Sequence, residues 1–256
     1  PEHGPCVLTA SSPPFIIDPK TREQRRATSK DIANIARLIN ELPGFNVFSI
    51  SVLADDAPDG DLSLYRFYPA LKNCKKPVRS NTPRFEELQK VLELGYTIAG
   101  SKEAYMERPF INHHYCPIVT PLTMDVESTE AVTYLAQQGL PVYTTAPVSN
   151  AGMTSPMSRM GTLVLGNAEF LAINCYYQMI REGMPIIYAY LPTIADLRTG
   201  AYTPGAMETG ILSMAHTEMA EFYHVPSGGY IGLTNSHCND AQNGYEAAMN
   251  TTGAVC

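Results

Sequence analysis

Short apolar segments alternate with longer amphipathic segments along nearly the whole chain, and this alternation restricts the possible folds most strongly. Apolar runs bounded by Gly or Pro are typical of buried strands, whereas apolar residues spaced three and four apart are typical of helices. A strand followed by a helix and another strand normally joins two parallel strands. The sequence therefore predicts an α/β protein, with strands at 45–53, 77–80, 110–116, 141–145, 185–190 and 230–233.

Helices are predicted between and around these strands. The first should begin at a cap at Thr28 or Ser29 and end at Pro43-Gly44, because the intervening apolar residues form one helical face. The same spacing predicts helices at 85–99, 126–138, 157–182, 206–223 and 240–251.

Six strand–helix units in series favour a (β/α)8 TIM barrel over a doubly wound open sheet. The Gly-rich GxGxxG pattern of dinucleotide-binding sheets does not follow the first strand. A compact barrel of eight units takes about 250 residues, whereas these 256 residues supply six units. We therefore expect residues 1–256 to form one incomplete TIM-barrel domain, with an irregular segment at 1–28 and the C-terminal units missing.

Composition excludes several classes of function. The net charge is −7, and nucleic-acid binding normally requires a basic surface. No apolar run reaches the roughly 18 residues that a membrane-spanning helix needs. The six cysteines form no CxxC pair and are typical of reduced thiols, so we expect a cytoplasmic protein. Charged residues are 17% of the chain, against about 25% in ordinary domains, which suits a large core or an oligomer.

Polar loops follow three of the predicted strands, at 148–156, 191–200 and 234–242. Loops after parallel strands open on one face of an α/β protein, where ligands bind. Tyrosines on the same strands could hold an ammonium ion by cation–π attraction, with acidic and amide groups from the loops beside them. The predicted substrate-binding residues are Tyr143, Tyr188, Tyr190, Asp196, Asn235, Asp240 and Gln242.

Each of these residues also has a structural alternative. The tyrosine rings could simply pack between strands and helices. Asp196 could pair with Arg198, two positions later, and Asn235, Asp240 and Gln242 could belong to the cap of the last helix.

A metal site is not predicted. His113 and His114 are adjacent on a strand, so their side chains point to opposite faces, and no further ligand occurs at a suitable spacing. No GxSxG motif and no Walker A lysine is present either.

The chain from about Phe15 to Cys256 resembles the trimethylamine methyltransferase family. The order and spacing of several short motifs carry this resemblance, although each motif alone is weak. They are Ile16-Ile17-Asp18-Pro19, Arg108-Pro109-Phe110, Tyr115-Cys116-Pro117-Ile118, Gly139-Leu140-Pro141-Val142, Ala151-Gly152-Met153-Thr154-Ser155-Pro156, Leu165-Gly166-Asn167-Ala168-Glu169, Asp196-Leu197-Arg198-Thr199-Gly200-Ala201, Gly232-Leu233-Thr234-Asn235-Ser236 and Asp240-Ala241-Gln242-Asn243-Gly244-Tyr245-Glu246.

The resemblance implies transfer of a methyl group from trimethylamine to the Co(I) of a cognate corrinoid protein, in methylamine metabolism and methanogenesis. It implies that the corrinoid (a cobalamin) is carried by the partner, that no cofactor binds this chain directly, and that the full-length protein is a homo-oligomer. Some members of the family contain pyrrolysine. We expect such a residue just after Cys256, and no catalytic residue is assigned within the present chain.

Three alternatives remain at this stage. Family members without pyrrolysine demethylate glycine betaine or other quaternary amines. A barrel that only binds methylated ammonium compounds would use the tyrosine pocket without catalysis. A lyase or aldolase would need a Schiff-base lysine or a metal, and no lysine lies on the last three predicted strands.

Overall fold

The computed structural model describes residues 5–10, 12–18, 20–144 and 148–255. The fold is mixed α/β, and the described residues contain several small sheets but no closed barrel. The helices are α1 (Ser29–Glu41), α2 (Leu62–Asn73), α3 (Phe85–Ala99), α4 (Lys102–Glu107), α5 (Val126–Gln137), α6 (Arg159–Ile180), α7 (Met207–Phe222) and α8 (Ala241–Val255). The strands are β1 (Phe15–Ile17), β2 (Gln24–Arg26), β3 (Phe48–Ser49), β4 (Val78–Ser80), β5 (Ile111–Tyr115), β6 (Ile118–Val119), β7 (Thr123–Met124), β8 (Val142–Thr144), β9 (Asn150–Ala151), β10 (Tyr188–Ala189), β11 (Thr193–Asp196), β12 (Ala201–Tyr202) and β13 (Ser227–Gly228).

The chain divides into two compact units. Unit 1 comprises Pro1–Tyr115 and Glu130–Val142, and unit 2 comprises Cys116–Thr129 and Tyr143–Cys256. The boundary therefore falls inside α5. The expected single domain over residues 1–256 stays a prediction.

Unit 1 contains β3, β4, β5 and the first residue of β8, which belong to a sheet with the strand order β3-β4-β5-β8. The pairs β3–β4 and β4–β5 are parallel, as the strand–helix alternation predicts. Helix α1 begins where it was expected, because Thr28 and Asp31 form a capping box. Helix α2 was not predicted, and it contains Pro69, a residue that normally ends a helix. The segment 1–28, expected to be irregular, contains the antiparallel hairpin β1–β2.

Unit 2 contains α6, α7 and α8 together with short strands. The strands β10 and β13 pair in parallel, as do β9 and β11, while β12 is antiparallel to β11. A further hairpin joins β6 and β7.

The predicted strand at 230–233 is wrong. The segment that pairs with β10 lies a few residues earlier, at Ser227–Gly228, and the amide of Tyr188 donates to the Pro226 carbonyl to fix this register. Gly232 has a φ of 68°, and a backbone in the left-handed region does not continue an extended strand. The other predicted strands exist, but several are shorter than expected.

Candidate functional site

Tyr188 and Tyr190 lie in the core of unit 2, and each is 1% exposed. The Tyr188 hydroxyl donates to Oδ1 of Asn167 at 2.9 Å, and the Tyr190 hydroxyl donates to the Thr162 carbonyl at 2.8 Å. Burial raises the pKa of both hydroxyls. These contacts fit the alternative that the two rings simply pack between strands and helices. A role of the rings in substrate binding stays a prediction.

The two tyrosines share an aromatic neighbour. The ring of His216 stacks on Tyr188 with a centroid separation of 6.1 Å and meets Tyr190 edge-on at 6.3 Å. Nε2 of His216 lies 3.1 Å from the Gly228 carbonyl, and burial lowers the pKa of this histidine. The His216 ring, which belongs to α7, thus contacts Tyr188 of β10 and the Gly228 carbonyl of β13.

Tyr143 belongs to β8, but its side chain lies outside the described residues.

Asp196 organises the turn after β11. Its Oδ1 accepts from the Arg198 amide at 2.9 Å, and its carbonyl accepts from the Gly200 amide at 2.7 Å. Within the described ranges the two side chains of Asp196 and Arg198 form no ion pair. The carboxylate thus binds the main chain of its own loop, in the manner of an Asx turn.

Asn235 and Gln242 are brought together by a residue that we did not predict, Glu246. The main-chain amide of Asn235 donates to Oε2 of Glu246 at 2.6 Å, and Thr234 Oγ1 donates to the same oxygen at 2.8 Å. The side chain of Gln242 donates through Nε2 to Oε1 of Glu246 at 3.0 Å. Hydrogen bonds from Asn235, Gln242 and Thr234 lower the pKa of Glu246. We call Thr234, Asn235, Gln242 and Glu246 the Glu246 network.

The Glu246 network also reaches the loop before α7. Oδ1 of Asn235 accepts from the Gly205 amide at 3.0 Å. A Cβ at Gly205 would collide with the Glu246 carboxylate, so only glycine fits there. The spacing of Gln242 and Glu246, four residues apart on one helix, was a signal for their contact.

Asp240 caps α8. Its Oδ1 accepts from the Asn243 amide at 2.9 Å and from Ser236 Oγ at 2.9 Å, while the Cys238 thiol donates to Oδ2 at 3.3 Å. The Asn243 amide, followed by Ser236 and Cys238, lowers the pKa of Asp240. These contacts match the capping alternative.

Unit 1 carries a second group of polar side chains, on one face of its sheet. Ser49 pairs with Arg79, and Arg79 pairs with Asn112, so the three share a face, to which His114 also belongs by strand alternation. Ser49 and Arg79 are buried, and Arg79 Nη1 donates to Ser49 Oγ at 3.0 Å. Burial and the charge of Arg79 hold the pKa of His114 well below its ordinary value. We call Ser49, Arg79, Asn112 and His114 the polar sheet face.

His113 points to the other side of β5, as the adjacent-histidine argument predicts. It is 1% exposed, and burial lowers its pKa to about 4. Among the residues that the structure describes, no group of three His, Cys, Asp or Glu side chains is arranged to hold a metal ion. In the same part of the chain, no helix has the length and apolarity to cross a membrane.

The helices and the parallel strand pairs define an α/β protein. Residues 5–256 match the family model described as trimethylamine methyltransferase (MTTB). The chain belongs to the trimethylamine methyltransferase family.

Its relatives include enzymes with two different substrates in their names. The chain is 32% identical to the glycine betaine methyltransferase of Desulfitobacterium hafniense (strain Y51), over 94% of this chain and 50% of that protein. It is 28% identical to the trimethylamine methyltransferase MttB of Desulfitobacterium hafniense (strain DSM 10664 / DCB-2), over 91% and 47%. It is 29% identical to MttB of Methanosarcina barkeri, over 88% and 46%. The chain spans about half the length of the curated relatives it matches.

Proposed function

We propose that the complete protein transfers a methyl group from trimethylamine to the Co(I) of a cognate corrinoid protein. The family match over residues 5–256 carries this proposal. Strands β3, β4 and β5 pair in parallel in the order of the chain, and β10 pairs in parallel with β13, the strand that follows α7. These pairs support a TIM barrel for the complete fold.

In the proposed reaction Co(I), carried by the partner protein, attacks a methyl carbon while the carbon–nitrogen bond breaks and dimethylamine leaves. Direct displacement from neutral trimethylamine would expel the dimethylamide anion, a very poor leaving group, so the nitrogen must first become cationic before neutral dimethylamine can leave. Pyrrolysine, expected after Cys256, is the proposed activating group. The present residues would orient the amine. Asn235 and Gln242, held by Glu246, and the tyrosines of the β10 region are the proposed contacts.

The test is corrinoid methylation by the full-length gene product. Reduced corrinoid partner and trimethylamine should give the absorbance change from Co(I) to the methylated corrinoid, with release of dimethylamine. A protein that binds trimethylamine but methylates no corrinoid would support the alternative of a non-catalytic binding barrel.

A second candidate substrate is glycine betaine, and the polar sheet face favours it. Arg79 is 7% exposed, and a buried guanidinium repels a purely cationic ligand but binds a carboxylate well. A betaine offers both a quaternary ammonium and a carboxylate. This substrate needs no prior activation, since its nitrogen is already cationic.

The substitution Arg79→Met separates the two substrates. If the carboxylate of glycine betaine binds Arg79, this variant should raise the KM for glycine betaine by about 10- to 100-fold, the cost of losing one charge-assisted contact. The KM for trimethylamine should change little. A parallel loss with both amines would show that Arg79 is needed only for the fold, and Arg79→Lys serves as the control that keeps the charge.

A further inference from the structure

Unit 1 contains an open cavity of about 750 Å³ that is lined by α1 and α2, together with Leu94 of α3. Lining residues recur at spacings of three and four along each helix, so each helix turns one stripe of side chains towards the cavity. The stripes contain Lys30, Ala33 and Arg37 on α1 and Tyr65, Tyr68 and Lys72 on α2. We call this feature the α1–α2 cavity.

Much of the lining is apolar or aromatic. Leu64, Pro69 and Leu94 are half-buried in the cavity wall. The side chains of Tyr65 and Tyr68 also line it, and both are exposed. Cavities of about 300–1,000 Å³ with apolar and aromatic walls and a few polar groups are typical of sites for small organic ligands. The α1–α2 cavity therefore has the size and the lining to cover the apolar part of such a ligand.

The charged groups of this cavity are all positive. Lys30, Arg37 and Lys72 line it, and no acidic side chain does so among the residues that the structure describes. Arg37 Nη2 donates to Asn34 Oδ1 at 2.9 Å, and the Lys72 ammonium lies 5.4 Å from the centroid of the Tyr68 ring. Within the described ranges none of the three cations forms an ion pair. Three cations thus line one cavity without a counter-ion from this part of the chain.

Several other basic residues of unit 1 do pair with acidic neighbours. Arg25 binds Asp31 at 2.8 Å, and Lys90 binds Asp61 at 2.6 Å. The chain has a net charge of −7, so acidic partners are plentiful. Like charges that share a cavity repel one another, and an anion between them removes that repulsion. The α1–α2 cavity is a local positive site in an acidic protein, and it attracts anions.

We propose that the α1–α2 cavity binds an organic anion with an apolar body, of the class of medium-chain carboxylates. Arg37 and Lys72 bind the carboxylate, because guanidinium and ammonium groups form charge-assisted hydrogen bonds with it. The hydrocarbon chain lies against Leu64, Pro69 and Leu94, where it is removed from water. The same cations repel a methylated ammonium ion, so binding of the anion does not depend on the proposed methyl transfer.

The test is calorimetric titration of the protein with decanoate. We expect one decanoate to bind per chain, with a dissociation constant below about 1 mM. Decyltrimethylammonium has the same hydrocarbon chain and the opposite charge, and it should bind at least about 10-fold more weakly. Equal binding of the two decyl compounds, or no binding of decanoate, would overturn the proposal. Binding of a short glutamate peptide in place of decanoate would assign the cavity to an acidic protein segment, and would also overturn it.

A pair of double substitutions locates the bound anion. Arg37→Gln combined with Lys72→Gln should weaken the binding of decanoate by about 10-fold or more, since two charge-assisted contacts are lost. Both side chains are exposed, so the fold should be retained. Lys20→Gln combined with Lys75→Gln is the matched control, because it removes two charges from exposed positions of unit 1 outside the cavity. The control should bind decanoate as the wild type does, and equal weakening in both double variants would contradict a site in the α1–α2 cavity.

The chain contains no tryptophan, which permits a measurement by fluorescence. The variant Tyr68→Trp carries a single indole in the cavity wall, and its emission should shift to shorter wavelength when decanoate displaces water from the ring. Tyr245→Trp, at a position of α8 that is 70% exposed, is the control and should not shift. An unchanged emission of the Tyr68→Trp variant at concentrations where calorimetry shows binding would place the ligand elsewhere and overturn the proposal.

Discussion

Glu169 ties α6 to the β6–β7 hairpin through main-chain and side-chain contacts. Its Oε1 accepts from the Leu122 amide at 2.7 Å and its Oε2 from Thr120 Oγ1 at 3.1 Å. Burial raises the pKa of the carboxyl group, while both hydrogen bonds act in the opposite direction. A buried carboxylate with these contacts holds the hairpin at the cost of its own desolvation.

Replacing Glu169 by Ala should lower the free energy of unfolding by about 2–4 kcal/mol, because it leaves the Leu122 amide without its acceptor and opens a cavity. Glu169→Gln keeps one carbonyl oxygen for that amide, and should cost about half as much. Urea denaturation at neutral pH measures both values. Equal stability of the Ala variant and the wild type would contradict the assigned role of the carboxylate.

His113 should make the protein sensitive to acid. Its pKa is about 4 in the folded state, below the ordinary value of 6.5, so the unfolded chain binds more protons between these two pH values. The stabilisation is fully present above pH 6.5 and is lost as the pH falls towards 4, by up to about 1.4 kcal/mol per pH unit. His113→Phe should make the free energy of unfolding less steep in this range, measured by denaturation at several pH values. An unchanged slope would show that His113 titrates normally.

Single-residue roles were only partly predictable. Adjacent histidines on a strand must face opposite ways, and Asp before a helix is a natural cap, so His113 and Asp240 needed no tertiary information. Glu246 and Arg79 were missed for a physical reason. Apart from Gln242, which lies on the same helix as Glu246, their partners come from a loop or a neighbouring strand whose position depends on the packing of the whole unit.

At the scale of elements, a glycine in α6 makes room for a ring from the β10 region. The Tyr190 side chain lies directly over Gly166 and donates to the Thr162 carbonyl one turn earlier. Any Cβ at Gly166 would overlap the ring. Close packing between α6 and the segment after β10 therefore requires a residue without a side chain at position 166.

Gly166→Ala should destabilise the protein by about 1–3 kcal/mol, since overpacking against Tyr190 outweighs the better helix propensity of Ala. The matched control is Gly244→Ala in α8, where a Cβ would meet nothing within 4 Å. This control should gain about 0.5–1 kcal/mol. The midpoint temperature of thermal unfolding measures the stability of each variant. A higher midpoint than that of the wild type for both variants would contradict the close packing of Tyr190 on Gly166.

Helices were easier to predict than strands. Helix α3 has the predicted bounds, and α6 and α7 differ from the predicted bounds by one or two residues at each end, because apolar spacing and capping are local properties. Strands form only where a partner supplies hydrogen bonds. The predicted strand 185–190 is therefore reduced to Tyr188–Ala189, the part that pairs with β13.

At the scale of the whole molecule, neither unit is a continuous piece of chain. The first third of α5, Val126–Thr129, belongs to unit 2, and the rest of α5 belongs to unit 1. The part in unit 1 contributes Val132 and Leu135, both with 0% exposure. It is followed by β8, the fourth strand of the sheet. Local sequence patterns predicted the neighbouring parallel strands β3, β4 and β5 but carry no information about this division.

A fragment ending at residue 115 should therefore fail to fold, whereas one ending at residue 142 should form unit 1. The longer fragment restores the buried face of α5 and the first residue of β8, which the shorter one lacks. Dispersed amide signals in NMR spectra and a cooperative thermal transition are expected for 1–142 only. A cooperative transition in 1–115 would contradict the view that residues 130–142 complete this core.

The division inside α5 also bears on the order of events during protein synthesis. A ribosome adds about 5–20 residues per second, and an N-terminal domain usually folds as soon as it has emerged. We therefore expect the core formed by the first 115 residues to close only after residue 142 has left the exit tunnel, since residues 130–142 belong to the same unit. During that interval of some seconds β5 would lack its neighbour β8, and we expect this exposed edge to require protection from pairing with other chains.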